Sequence, residues 1–184
     1  MVRLILLLII AAAVLYFIVA YNGFVKLKNL VEEGWSGIDV QLKKRYNLIP
    51  NLVNTVKGYA THEKEVFENV AAMRSTGINA QSVKEQAQAE NMLTQALGRL
   101  FAVAENYPDL KANQNFTSLQ NELSQIEKDI EMSRRYYNGT VRQNNIKIES
   151  FPSNLVANMF GFKKFDFFEL DEPEARIVPK VDFS

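Results

Sequence analysis

The chain has 184 residues, with 21 Lys and Arg balancing 21 Asp and Glu, one histidine and no cysteine. This excludes disulfides, thiol nucleophiles and Cys-ligated metals, and it lacks the basic surplus of a nucleic-acid binder. One histidine cannot build an imidazole-rich metal site, so no metal, cofactor or nucleic acid is expected, and the length suits one domain with an appendage.

Residues Leu4 to Ala20 read LILLLIIAAAVLYFIVA, seventeen positions whose side chains carry no polar group but the Tyr16 hydroxyl. As a helix they cover about 25 Å, and extension through Tyr21, with Asn22 among the headgroups, approaches the ~30 Å of a hydrocarbon core. The expected partner of residues 4–21 is therefore the lipid bilayer of the cell membrane. A cleaved signal peptide needs small residues before its cut, but Ala11-Ala12-Ala13 lies mid-segment and Ile18 with Ala20 makes a poor pair. Residues 1–23 are read as an uncleaved, single-pass anchor. The flanking charges, Arg3 against Lys26 and Lys28, nearly balance; Lys43-Lys44-Arg45 tips the count slightly towards a cytoplasmic C-terminal side but lies beyond the roughly 15–20 positions that set orientation, so the charges leave it undecided.

From Phe24 the apolar positions are Phe24, Leu27, Val31, Trp35, Ile38, Leu42, Tyr46 and Ile49, one face of a helix with Trp35 on the packed side. Pro50 is expected to end that helix or to start the next one. A second stripe, Leu52 to Met73, stops near Gly77, a plausible terminator. A third opens at a Ser82/Glu85 capping box and breaks near Pro108; a fourth opens at Thr117/Gln120 and runs to Ile148 before Pro152. Four amphipathic helices with short connections predict an all-α fold, an antiparallel four-helix up-down bundle over 24–150 behind the transmembrane helix. Residues 151–184 form a Phe-rich segment with a short helix around 155–160 and an acidic tail. Residues 165–184 carry six acids against two bases, a net charge near −4.

Familiar catalytic patterns are missing. The residue three before His62 is Tyr59 and the one four after is Val66, so neither a Glu-x-x-His nor a His-Glu-x-x-His metal motif is present. Carboxylates such as Asp39, Glu63, Glu127 and Glu131 read as solvated faces or intrahelical pairs. Two constellations stand out. The first and third connections are rich in Asn, Tyr and Pro, and in an up-down bundle they share one end. Asn47, Asn51, Tyr107, Asp109 and Lys111 are thus a candidate partner-binding tip, against the plainer reading of turn and cap residues. The fourth helix returns towards the membrane and delivers Phe160, Phe162, Lys163, Lys164, Phe165, Phe167 and Phe168 there. That cluster either docks on lipid or packs on the bundle.

The stretch WSGIDVQLKKRYNLIPNLVNTVKGYATHE (35–63) resembles the signature of the LemA family of bacterial membrane proteins. ENYPDLKANQNF (105–116), LQNEL (119–123), RRYYNGTVRQNN (134–145), FPSN (151–154) and GFKKFDFFE (161–169) extend the resemblance along the chain. Gly34 stands where the family usually has Ala, and Gly139 loosens the fourth helix. The resemblance implies a membrane helix with its short N-terminus outside and a cytoplasmic helical bundle, and it brings no catalytic residues. The expected function is a single-pass, non-enzymatic scaffold or adaptor with protein partners, able to self-associate. Two alternatives stay open: a lipid-binding or membrane-shaping protein, and an enzyme with a carboxylate metal site in the bundle.

Overall fold

The structure, a computed structural model, describes residues 1–169; the rest of the acidic tail lies outside the described residues. It is all-α, with no strand among the described residues. The helices are α1 (Val2–Lys57), α2 (Lys64–Asn79), α3 (Val83–Glu105), α4 (Pro108–Lys111), α5 (Gln114–Glu149) and α6 (Ser153–Phe160).

The first departure from expectation is α1, which runs through Pro50 without ending. Proline has no N–H, so the carbonyl of Tyr46, four residues earlier, loses its helical donor. Arg74 replaces it: its Nε donates to the Tyr46 carbonyl at 2.7 Å. Leu52 and Val56, expected to begin a new helix, instead extend the buried face of α1. The turn falls at residues 58–63, and α2 is accordingly shorter than expected. Gly77 does not terminate α2; it is buried inside it. A Cβ there would lie 3.0 Å from Tyr46 Cζ and 3.1 Å from Glu90 Oε1.

The Ser82 cap forms, its hydroxyl accepting from the Glu85 N–H at 3.2 Å. The Glu85 carboxylate accepts from the Gln81 N–H, one residue before the expected position. The Thr117/Gln120 box does not form. Asn113 caps α5 instead, its Oδ1 accepting from the N–H groups of Asn115 at 2.8 Å and Phe116 at 3.1 Å. The asparagine enters first in the chain and satisfies two orphan donors, which leaves Thr117 inside the first turn.

The chain divides into two compact units, each containing parts of α1 and α5. Unit one comprises Met1–Arg45 and Leu123–Phe167. Its two long segments run antiparallel: Lys147 lies over Phe24, Tyr137 packs on Trp35, and Glu127 meets Arg45. Val31, Ile38, Leu42, Ile126, Ile130 and Val141 are buried in its core. Gly34 lets the helices approach, since a Cβ would stand 3.1 Å from the Tyr137 Cα. Trp35 is only half-buried, tilted over Tyr137 with ring centroids 5.5 Å apart. Arg45 is buried, with Nε 2.9 Å from Glu127 Oε1, so its charge is matched inside the unit rather than displayed with Lys43 and Lys44. α5 continues unbroken through Gly139.

Unit two comprises Tyr46–Glu122 together with, among the described residues of the tail, Phe168 and Glu169. Here the end of α1, the α2–α3 hairpin, α4 and the start of α5 enclose Ile49, Leu52, Val70, Leu93, Leu97, Leu100, Leu110 and Phe116. Tyr46 is the polar hub. Its hydroxyl bonds the buried Glu90 carboxylate and accepts from Gln86 Nε2 at 2.7 Å, while Gln86 also donates to Glu90 at 3.0 Å. Buried polar groups are stable here because they satisfy one another.

Removing the guanidinium in Arg74→Ala leaves the Tyr46 carbonyl without its donor and is expected to cost about 1–3 kcal/mol. Pro50→Ala restores the helical N–H, so the same Arg74→Ala change should cost less in that background. Chemical denaturation of the four proteins of this cycle, followed by helical circular dichroism in detergent micelles, measures the coupling. Asn113→Ala should cost about 1 kcal/mol by the same measurement, and Thr117→Ala much less.

Candidate membrane-interface site

The N-terminal part of α1 is long and apolar enough to cross a membrane, and almost none of the residues in that run are buried by the rest of the chain. Where this run ends, α6 packs against it. Val156 and Ala157 of α6 are fully buried against Ala20 and Phe24, with Phe17, Ile148 and Phe162 at the edges. Ala20 and Ala157 are small enough for close approach, which turns α6 back onto the last turn of the apolar run. Ser153 ties α6 to the end of α5, its hydroxyl lying 2.6 Å from the Lys147 carbonyl and 2.9 Å from that of Ser150.

Aromatic rings finish the joint. Phe162 stacks on Phe24 with centroids 4.8 Å apart, and Tyr21 meets Phe160 and Phe162 edge-on at 4.8 and 5.7 Å. Lys147 places its ammonium 4.8 Å from the centre of the Phe24 ring. Such a contact favours the cation, while burial holds the Lys147 pKa below its ordinary value.

Gly161, at φ 70°, ends α6 in the left-handed conformation that a residue without Cβ adopts freely, and the Phe162 N–H closes back onto the Ala157 carbonyl at 3.0 Å. The chain then leaves as an extended strap along α5. Asn145 grips it twice, donating to the Phe165 carbonyl at 2.9 Å and accepting from the Phe165 N–H at 3.0 Å. Tyr137 donates to the Asp166 carbonyl at 2.9 Å, and Lys164 pairs with Glu149. The Tyr137 phenol is pushed up to about 12, first by burial and then by the negative charge of Asp166.

The sequence-derived cluster is therefore assembled in part. Phe160, Phe162, Lys163, Lys164 and Phe165 line one cleft of about 310 Å³ together with Lys28, Asn144 and Gly161. Phe168 is not in it; it is fully buried and belongs to unit two, and Phe167 is exposed. The aromatic partners Tyr21 and Phe24 and the clamps Tyr137 and Asn145 were missing from the sequence-derived set. The seven- and eight-residue steps from Tyr137 to Asn144 and Asn145, one shared helix face, were the available signal.

The residues of the candidate tip do not all lie together. Asn113 Nδ2 donates to the Tyr59 hydroxyl at 2.9 Å, joining the turn after α1 to the connection before α5. Tyr107, half-buried, and the exposed Asp109 and Lys111 lie on that connection, in and just before α4. Asn47 and Asn51 are not in a turn, because α1 continues past them; both are exposed along the helix. His62 is exposed in the turn. Asp39 pairs with Lys43 and Glu131 with Arg135 along their helices, and Glu127 crosses to Arg45. Among the described residues no group of three or more His, Cys, Asp or Glu is placed to hold a metal.

Residues 34–183 match the LemA family. The chain belongs to the LemA family. It is similar to magnetosome protein MamQ 2 of Paramagnetospirillum magneticum, at 27% identity over 87% of this chain and 68% of the relative. It is also similar to magnetosome protein MamQ of Magnetospirillum gryphiswaldense, at 24% over 86% and 68%, and to protein LemA of Metamycoplasma hominis, at 26% over 97% and 80%. Two of the stretches that carry the LemA resemblance, 134–145 and 161–169, are the two sides of one interaction, the clamp and the strap.

Asn145→Ala removes both bonds to Phe165 and should cost about 1–3 kcal/mol, with faster proteolysis between Gly161 and Asp166. Because folding raises the Tyr137 pKa, its stabilisation is complete below the ordinary value near 10 and is lost as pH rises through about 12. Unfolding free energy should therefore fall across that window in the natural chain, and Tyr137→Phe should remove this component, as denaturant titrations at about pH 9 and about pH 11 would read.

Proposed function

We propose that this LemA-family protein is a membrane-tethered, non-enzymatic scaffold, held by α1 in the cell membrane with its helical units in the cytoplasm. The observation that carries this reading is the continuity of α1: the helix with the apolar, uncovered N-terminal run also supplies core residues to both units, Phe24 to Leu42 in one and Tyr46 to Val56 in the other. A protein built to release its body from the membrane would place a linker at that junction. The junction Asn22-Gly23 is instead helical.

The face offered to partners is the tip formed by the connection around α4 and the turn holding Tyr59. It presents an aromatic ring at Tyr107, an acid at Asp109 and a base at Lys111 over a connection held by Asn113, so its groups are fixed before a partner arrives, which limits the entropy lost on binding. A photo-crosslinking amino acid at Asp109 in the native membrane is expected to give a discrete adduct with another protein or a second copy. Tyr107→Ala with Lys111→Ala should lower that adduct at least about tenfold, equivalent to about 1.4 kcal/mol, without moving the melting temperature. A collapse of stability would instead make these residues turn structure alone. Sidedness is read on the cysteine-free chain: a maleimide that cannot cross membranes should label Glu122→Cys in cells only after permeabilisation.

A further inference from the structure

α6 is apolar on two sides. Ser153, Val156 and Ala157 face inward and are buried. At 100° per residue Leu155 and Met159 project on the opposite side, where they are 52% and 66% exposed. Phe151, in the turn just before α6, is 80% exposed, and Phe160 at the end of the helix is 53% exposed. Asn154 and Asn158 form only a narrow polar strip between the two apolar sides. Large apolar side chains gathered on one short helix, with its other side already packed, mark a surface that meets something other than water.

What it meets follows from the level at which α6 is held. The helix packs on Phe17, Ala20 and Phe24, residues that bracket the end of the apolar run of α1. Phe17 lies about 5 Å before Ala20 and Phe24 about 6 Å beyond it along the axis. If α1 crosses a bilayer, anything packed on these three residues lies at the boundary between acyl chains and headgroups. Tyr21, exposed beside Phe160, is the amphipathic ring that favours this level. Lys28, Lys163 and Lys164 line the adjoining cleft, Lys164 paired there with the exposed Glu149, and their long stems can carry charge to lipid phosphates.

We propose that α6 is an interfacial helix, its Phe151, Leu155, Met159 and Phe160 side chains seated in the leaflet at the headgroup boundary and Lys28, Lys163 and Lys164 beside them at the phosphates. This rests on the reading of α1 as a membrane span and extends it to a second contact with the same leaflet. The joint then has two lipid-facing elements locked together by Val156, Ala157 and the stacked Phe24 and Phe162 rings, which restrains rotation of α1 about its own axis.

The absence of cysteine allows a direct test on the full chain. Single-cysteine proteins Leu155→Cys, Met159→Cys, Leu8→Cys and Glu122→Cys are spin-labelled and reconstituted in vesicles of phosphatidylethanolamine and phosphatidylglycerol. Collision with oxygen, which concentrates in the acyl region, is compared with collision with a water-soluble nickel chelate. The expected result is that labels at 155 and 159 favour oxygen severalfold more than the label at 122, at a depth shallower than the label at 8. If the label at 8 is deep while those at 155 and 159 match 122, the interfacial helix is wrong and the span stands. If the label at 8 is itself in water, the span reading fails and takes this proposal with it. Spin–spin broadening at 159 would place a second copy of the chain on that face and overturn the lipid assignment.

Discussion

The hydrogen bond from Arg74 to the Tyr46 carbonyl decides the layout of this protein, because it lets α1 continue through Pro50. Without a donor, that carbonyl would be a buried orphan and the helix would gain by ending. With one, the helix runs on to Lys57, and the first turn moves to residues 58–63. Tyr46 is held from both ends, by Arg74 at its carbonyl and by Glu90 and Gln86 at its hydroxyl. Gly77 supplies the space for that ring. One residue thus couples α1, α2 and α3, and a buried polar network, rather than apolar packing alone, sets their register.

Unit one has a different economy. Its long helices pair antiparallel through Phe24 and Lys147, Trp35 and Tyr137, and Arg45 and Glu127, with Gly34 admitting the backbone of α5. α6 and the strap then fold back over this pair. The strap has no helical hydrogen bonds of its own, so α5 supplies partners through side chains, two bonds from Asn145, one from Tyr137 and a longer one from Asn144 to the Lys163 carbonyl at 3.4 Å. Backbone groups outside regular structure need such partners. This explains why polar residues lie on a face of α5 that periodicity alone would assign to the core.

The two units of this LemA-family chain are built by different means. The joint of α1 and α6 in unit one is aromatic and aliphatic, held by stacking and small-residue contacts. The tip is polar and is held by an asparagine that both caps α5 and binds Tyr59.

By itself the sequence determined the helical content, the membrane-length apolar run, the Ser82 cap and the grouping of Phe160 to Phe165 with two lysines, since each depends on local spacing or composition. The chain's own pattern also showed which faces of the helices were apolar. Tertiary structure alone decided that α1 passes Pro50, that Asn113 rather than Thr117 caps α5, that Gly77 sits inside a helix, and that Asn47 and Asn51 lie along α1. In each case a partner distant in the chain, or a neighbour competing for the same N–H groups, overrode the local signal. The division of the Phe-rich segment follows the same rule: Phe162 stacks on Phe24, Phe160 stays exposed beside Tyr21, and Phe168 is buried in the second unit. Rings of identical chemistry were separated by the strap's path, which is set by where Tyr137 and Asn145 offer hydrogen bonds to its backbone.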